Sequence, residues 1–132
     1  MNTTENMCFA CGPHNPVGLK LTFHEEGDEY VTSFTAAREY QGYEGMLHGG
    51  IIATLLDEIM ARHVWAKHGA AATAKLTVQY RRPVPTDVPL DIRGRILGER
   101  RNGHAFETAA AIRAQDGTVL AQATGLVILV EL

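Results

Sequence analysis

Cysteine is nearly absent from this chain of 132 residues. The two it has, Cys8 and Cys11, are too few for the disulfide framework that holds together small folds with little core. There is one tryptophan and there are five prolines, and no internal repeat or low-complexity tract divides the chain, so solenoid and linker-rich architectures are excluded. No apolar run nears the roughly 20 residues that span a bilayer. The opening stretch, Met1 to Asn6, lacks the basic and apolar blocks of a signal peptide. Neither charge dominates: 12 Lys+Arg against 15 Asp+Glu leave a formal charge of −3, too even for a chain that holds nucleic acid or an anionic membrane electrostatically. The expectation is a cytoplasmic protein with no nucleic-acid and no membrane partner.

What is present is core material. A hydrophobic fraction of 45% over 132 residues suffices for one core and is too short for two ordinary domains, so a single domain over residues 1–132 is expected. Gly18 to His24 and Glu29 to Thr35 alternate apolar with polar residues around Glu25-Glu26-Gly27-Asp28, which predicts a hairpin. Between Gly49 and His68, Ile51, Ile52, Leu55, Leu56, Ile59, Met60 and Val64 recur with helical period, and Gly69 is the stop. Four strands follow, over Thr73–Tyr80, Leu90–Leu97, His104–Ala114 and Thr118–Val130, with Asn102-Gly103 and Asp116-Gly117 as turns. One strongly apolar helix and no second one imply a large antiparallel sheet of about six strands curled around it, an α+β fold. Edge strands and an uncovered sheet face then call for a second copy, as does the all-apolar run Leu126 to Val130. A homodimer or homotetramer is expected.

The helix entrance reads His48-Gly49-Gly50. Two glycines there let another molecule approach the backbone, where free N–H groups and the positive dipole end favour developing negative charge. Asp57 falls on the helix side opposite the apolar stripe, beside the small residues Ala53 and Ala61, and is read as buried and functional; Glu58, nearer the stripe's flank, is read as solvated. From Gly49 to Asp57 is about 12 Å along the axis at 1.5 Å per residue, too far for both to act on one carbonyl and its attacking water. Antiparallel helices from two chains would bring the helix start of one opposite the aspartate of the other.

Cys8 and Cys11 supply half of a four-ligand zinc site, and His14 extends the spacing to a three-ligand set. Without a second C-x-x-C, a pair of reduced thiols in a Gly/Pro/Asn-rich loop is the preferred reading, and no metal or other cofactor is expected. The remaining histidines, His24, His63, His68 and His104, form no ligand spacing and are assigned no role. Six of the 12 Lys+Arg residues lie between Arg81 and Arg101. Arg93 and Arg95 alternate with Ile92 and Ile96 and read as a solvated strand face. Arg81, Arg82, Arg100 and Arg101, at a strand end and a turn, are the candidates for binding a polyphosphate.

The order β-β-α-β-β-β-β, with His48-Gly49-Gly50-Ile51-Ile52-Ala53-Thr54-Leu55-Leu56-Asp57 and the lead-in Cys8-Phe9-Ala10-Cys11-Gly12 followed by Asn15-Pro16-Val17-Gly18-Leu19, resembles the hotdog-fold acyl-CoA thioesterases, their phenylacetic-acid-pathway branch in particular. The resemblance implies hydrolysis of an acyl-CoA to free acid and CoA. It implies that the Gly49 and Gly50 amides polarise the thioester carbonyl, that His48 shapes the turn, and that Asp57 of the partner subunit activates water or attacks directly. Thr73, sixteen residues beyond Asp57, falls where relatives carry a Ser or Thr that holds the water. Strict strand alternation would nevertheless put Thr73 on the face opposite Leu76, Val78 and Tyr80. Gly42 stands where some relatives place an Asn or Gln. Other readings on the same fold are a non-catalytic acyl-CoA binding module and a hydratase or dehydratase.

Overall fold

The computed structural model describes residues 6–132; residues 1–5, on which most of the signal-peptide reading rests, lie outside the described residues. The elements are β1 (His24–Glu26), β2 (Glu29–Thr35), α1 (Gly49–His68), β3 (Ala71–Tyr80), β4 (Pro89–Arg100), β5 (Ala105–Arg113) and β6 (Val119–Leu129). They form one antiparallel sheet in the order β1-β2-β4-β5-β6-β3, curved around α1. This is the hotdog arrangement, with β3 along one open edge.

The helical period does what it predicts. Leu55, Leu56, Ile59 and Val64 are fully buried against the sheet, and Met60 nearly so. Sheet and helix come close because two strand positions lack a side chain. A Cβ at Gly94 would stand 3.3 Å from Ile59, and one at Gly125 3.2 Å from the end of Met60. Tyr30, Phe34, Leu90, Ile92, Ile112 and Ala121 complete the core. β6 is an interior strand between β5 and β3; Val127 is fully buried, whereas Leu126, Ile128 and Leu129 are half-buried in the single chain.

Two expectations need correction. The strand expected over Gly18–His24 is not one. Leu19 and Leu21 point inward as the alternation requires, but Lys20 adopts a left-handed φ of 55°, and the amides of Leu19 and Leu21 bond to the carbonyls of Phe9 and Ala10. Pairing with β2 begins only at His24, and the turn tightens to Gly27 and Asp28. Glu58 is not solvated but 7% exposed, because the segment around Cys8 and Cys11 folds back over its side of α1.

His63 is 1% exposed, stacks on Tyr30 with ring centroids 4.9 Å apart, and gives neither ring nitrogen a hydrogen-bond partner among the described residues. Burial, and then the charge of Lys67, depress its pKa; His68 acts in the same direction, while Glu25 and Asp28 oppose it. The folded state therefore disfavours protonation of His63 relative to the unfolded chain. The stability this supplies is intact above about pH 6.5 and is lost as pH falls below it, by at most about 1.4 kcal/mol per pH unit. His63→Phe, which keeps the stack, should flatten the stability difference between about pH 7.5 and about pH 5.5 in urea unfolding. An unchanged difference would remove His63 as its source.

Candidate active site

The helix entrance is built by His48. Its backbone is extended (φ −61°, ψ 136°), its carbonyl accepts from Ile51 and Ile52, and its Nδ1 accepts from the Gly50 amide at 2.8 Å. With Nδ1 accepting, the neutral ring carries its proton on Nε2, the nitrogen left free to donate. Of the first four helical amides, Gly50 is thus taken by His48, and Ile51 and Ile52 by its carbonyl. Gly49 alone has an N–H with no partner among the described residues. The Gly49 carbonyl accepts from the Tyr80 hydroxyl at 2.9 Å, which ties the helix start to the end of β3.

These groups open onto a groove of about 600 Å³, walled by Met46, Leu47, Ile52, Tyr80 and Val84, with Arg81 and Arg82 also lining it. Gly42 lines it too. A Cβ there would meet His48 at 3.5 Å, ordinary contact, so a side chain at this position would fit beside His48 and this chain simply leaves the space open. The neighbouring Gln41 does not substitute, since its amide is spent on Gly45 and Glu44. Tyr80 was not singled out from sequence. Its place directly before Arg81-Arg82 at a strand end was the available signal.

Asp57 and Thr73 lie elsewhere. Asp57 is half-buried, and its Oδ1 accepts from the Thr73 hydroxyl at 2.6 Å. The alternation that set Thr73 against Leu76, Val78 and Tyr80 is broken by a bulge: the β3–β6 register shifts between Thr73 and Lys75. The extra residue turns Thr73 to the helix side together with Leu76 and Val78. Neither Asp57 nor Thr73 lines the groove of its own chain among the described residues. The structure therefore brings His48, Gly49, Gly50, Arg81 and Arg82 to one place and Asp57 with Thr73 to another.

Arg100 and Arg101 are not at the groove. Arg100 pairs with Glu107 at 2.9 Å, and its sheet row runs through Ala105 and Ile128 to Ala72, the Thr73 end of β3. Arg93 is held by Asp91, Glu26 and Glu29, as a strand-face charge should be. His14 is exposed and does not join the cysteines.

A family model described as "Thioesterase superfamily" matches residues 44–121, more than half of the chain and including the whole of α1. This chain belongs to the thioesterase superfamily. Among curated proteins this superfamily member is similar to acyl-coenzyme A thioesterase THEM4 of Bos taurus, 29% identical over 123 residues, which cover 91% of this chain and 50% of that protein. The chain spans about half the length of the curated relatives it matches. Among solved structures it is similar to the thioesterase superfamily protein RHA08564, with a TM-score of 0.82 and 32% identity over 92% of this chain and 62% of that one. It shares its fold with smu.793 from Streptococcus mutans, solved bound to acetyl CoA, with a TM-score of 0.73 and 22% identity over 83% of this chain and 88% of that one.

The helix cap can be tested without substrate. His48→Ala should cost about 1 kcal/mol of unfolding free energy, and His48→Asn, whose side chain can also accept from the Gly50 amide, should recover most of it in urea titrations. Equal losses in both variants would show that the imidazole does not cap the helix.

Proposed function

We infer that the protein is an acyl-CoA thioesterase, cytoplasmic and folded as one domain over residues 1–132, whose site is completed by a second copy of the chain. The observation that carries this is the Gly49 amide, without a partner among the described residues, at the mouth of an apolar groove with two arginines, in a chain whose Thr73-bonded carboxylate, Asp57, is out of that amide's reach.

The sheet edge supports one way for the halves to meet. β3 is ten residues long and, among the described residues, unpaired on one side. Its start holds Thr73 and, through it, Asp57; its end holds Tyr80 and, through it, Gly49. Antiparallel pairing of two such edges sets the start of one against the end of the other, so each chain's Asp57 faces its mate's groove, twice per dimer.

In that geometry the thioester carbonyl oxygen takes the Gly49 N–H of one chain at the positive end of α1. Water sits on Asp57 of the other chain. The Thr73 hydroxyl donates to Oδ1, which leaves Oδ2 to draw a proton from the water as its oxygen attacks the carbonyl carbon. Charge on the carbonyl oxygen peaks in the tetrahedral intermediate, where the amide counts most, at about 3 kcal/mol. Collapse breaks the C–S bond and expels the CoA thiolate, an intrinsically good leaving group. A thioester is already activated, so these groups suffice for the steps described. Arg81 and Arg82 take the phosphates of CoA. Arg100 and Arg101 share the sheet end with Thr73, so any contribution of theirs comes from the partner's side.

Thiol release measured across short, medium, long and aryl acyl-CoA esters tests the reading directly. Steady turnover on at least one class is expected, whereas saturable binding without release would make the protein an acyl-CoA binding module. Asp57→Asn should lower kcat by roughly 100-fold or more with KM little changed. Unaltered kcat would remove Asp57 from the chemistry. Arg81→Gln with Arg82→Gln should raise KM by about 10-fold and weaken its dependence on salt, with kcat held. A KM that does not move would place the phosphates elsewhere.

A further inference from the structure

Cys8, Cys11 and Glu58 take no part in the groove or in the Asp57 pair, yet the fold gathers them. The loop Cys8–Gly12 is closed by the Gly12 amide on the Cys8 carbonyl at 2.8 Å. Gly12 has no substitute there, because a Cβ would overlap the Cys8 nitrogen. The same loop is fastened from outside by the Leu19 and Leu21 amides, bonded to Phe9 and Ala10. Wound this way, both sulfurs turn toward the third turn of α1, where Glu58 projects. The two Sγ atoms and a Glu58 carboxylate oxygen all lie within 4.8 Å of one another, with Cys8 Sγ 4.0 Å from Glu58 Oε2.

We propose that Cys8, Cys11 and Glu58 form a binding site for a thiophilic divalent cation of the zinc class. Ligands around a tetrahedral zinc, at about 2.3 Å for sulfur and about 2.0 Å for oxygen, stand roughly 3.5–4 Å from each other. The cluster therefore needs to contract by about half an ångström on the Cys8–Glu58 side and by no more than about 1.3 Å between any other pair. Two thiolates select a soft or borderline ion over magnesium or calcium. Two thiolates and a carboxylate against a divalent cation leave one negative charge, and the Arg62 guanidinium stands beside it, with Nη1 3.1 Å from Cys11 Sγ. An N–H donor on a ligating sulfur is the kind of outer contact that holds a metal ligand in place. Cys8 is half-exposed, so the fourth position faces water.

The surroundings agree. Burial lifts the Glu58 carboxyl above its ordinary range, opposed by Cys11 and Arg62 and reinforced by Asp57. Burial, and then Glu58, push the Cys11 thiol up as well. Binding here exchanges the two thiol protons, and any on Glu58, for the metal, with no change of oxidation state. The ion would pin the 8–12 loop to α1 one residue beyond Asp57. His14, which the sequence spacing offered as third ligand, is replaced by a residue of α1 fifty positions beyond Cys8.

The test uses the full chain, reduced and freed of metal with chelator, titrated with cobalt(II) without oxygen and then with zinc. The expected result is one cobalt per chain, with the intense visible bands of a tetrahedral ion and a near-ultraviolet thiolate-to-cobalt charge-transfer band, both abolished by zinc. Glu58→Gln should keep the charge-transfer band while weakening affinity about 10-fold or more, and Cys8→Ser with Cys11→Ser should lose the band and the rise in Tm that zinc gives the parent chain. A wild-type spectrum without thiolate charge transfer would overturn the proposal. So would uptake unchanged in the double serine variant, or a pair that only oxidises to a disulfide and takes up no metal once reduced.

Discussion

The Gly49 amide and the Asp57 carboxylate stand on one rigid helix, about 12 Å apart along its axis. A helix does not fold to bring them together, and the residues around each make the separation firmer. His48 caps the entrance and Tyr80 clamps the Gly49 carbonyl, while Thr73 fastens Asp57 further along. A reaction that needs both a polarising donor and a base at one carbonyl has to borrow one of them. The open β3 edge, which carries an anchor for each group at its two ends, is where the borrowing takes place in the proposed dimer.

This makes β3 more than a strand of the sheet. Its bulge after Thr73 changes which face the strand presents, so the hydroxyl of Thr73 at its start and Tyr80 at its end both serve α1. Without that extra residue Thr73 would point away from the helix and Asp57 would lose its partner. Gly94 and Gly125 act at longer range by letting the sheet lie close enough for such short contacts to form.

How much of this the sequence disclosed depends on how local the signal was. The 3.6-residue period from Ile51 to Val64 located α1 and its buried face. Asp116-Gly117 and Asn102-Gly103 located two hairpins, the first with Gly117 at a φ of 91° and the Asp116 carboxylate accepting from Thr118. Non-local effects stayed hidden. Nothing in Thr73-Ala74-Lys75 announces a bulge, because the misfit belongs to the pairing with β6. Glu58 looked solvated because its cover comes from a loop fifty residues earlier in the chain. The strand pattern at Leu19 and Leu21 was real as burial but misleading as pairing, since one left-handed residue, Lys20, redirected the hydrogen bonds. His48-Gly49-Gly50 marked the start of α1, but only the geometry separates the two amides: Gly50 is occupied by the imidazole and Gly49 has no partner among the described residues.

The claim on which the account turns is that each site takes its amide from one chain and its aspartate from the other. Gly49→Pro deletes the N–H at the first helical position, where proline is well tolerated and the extended His48 before it suits proline. It should be as inactive toward acyl-CoA as Asp57→Asn. Unfolding and reassembling the two inactive chains together in equal amounts should restore about one quarter of the wild-type rate, since half the dimers are mixed and each mixed dimer holds one intact site of two. A mixture as inactive as its components, in dimers shown to have exchanged chains, would contradict the shared site.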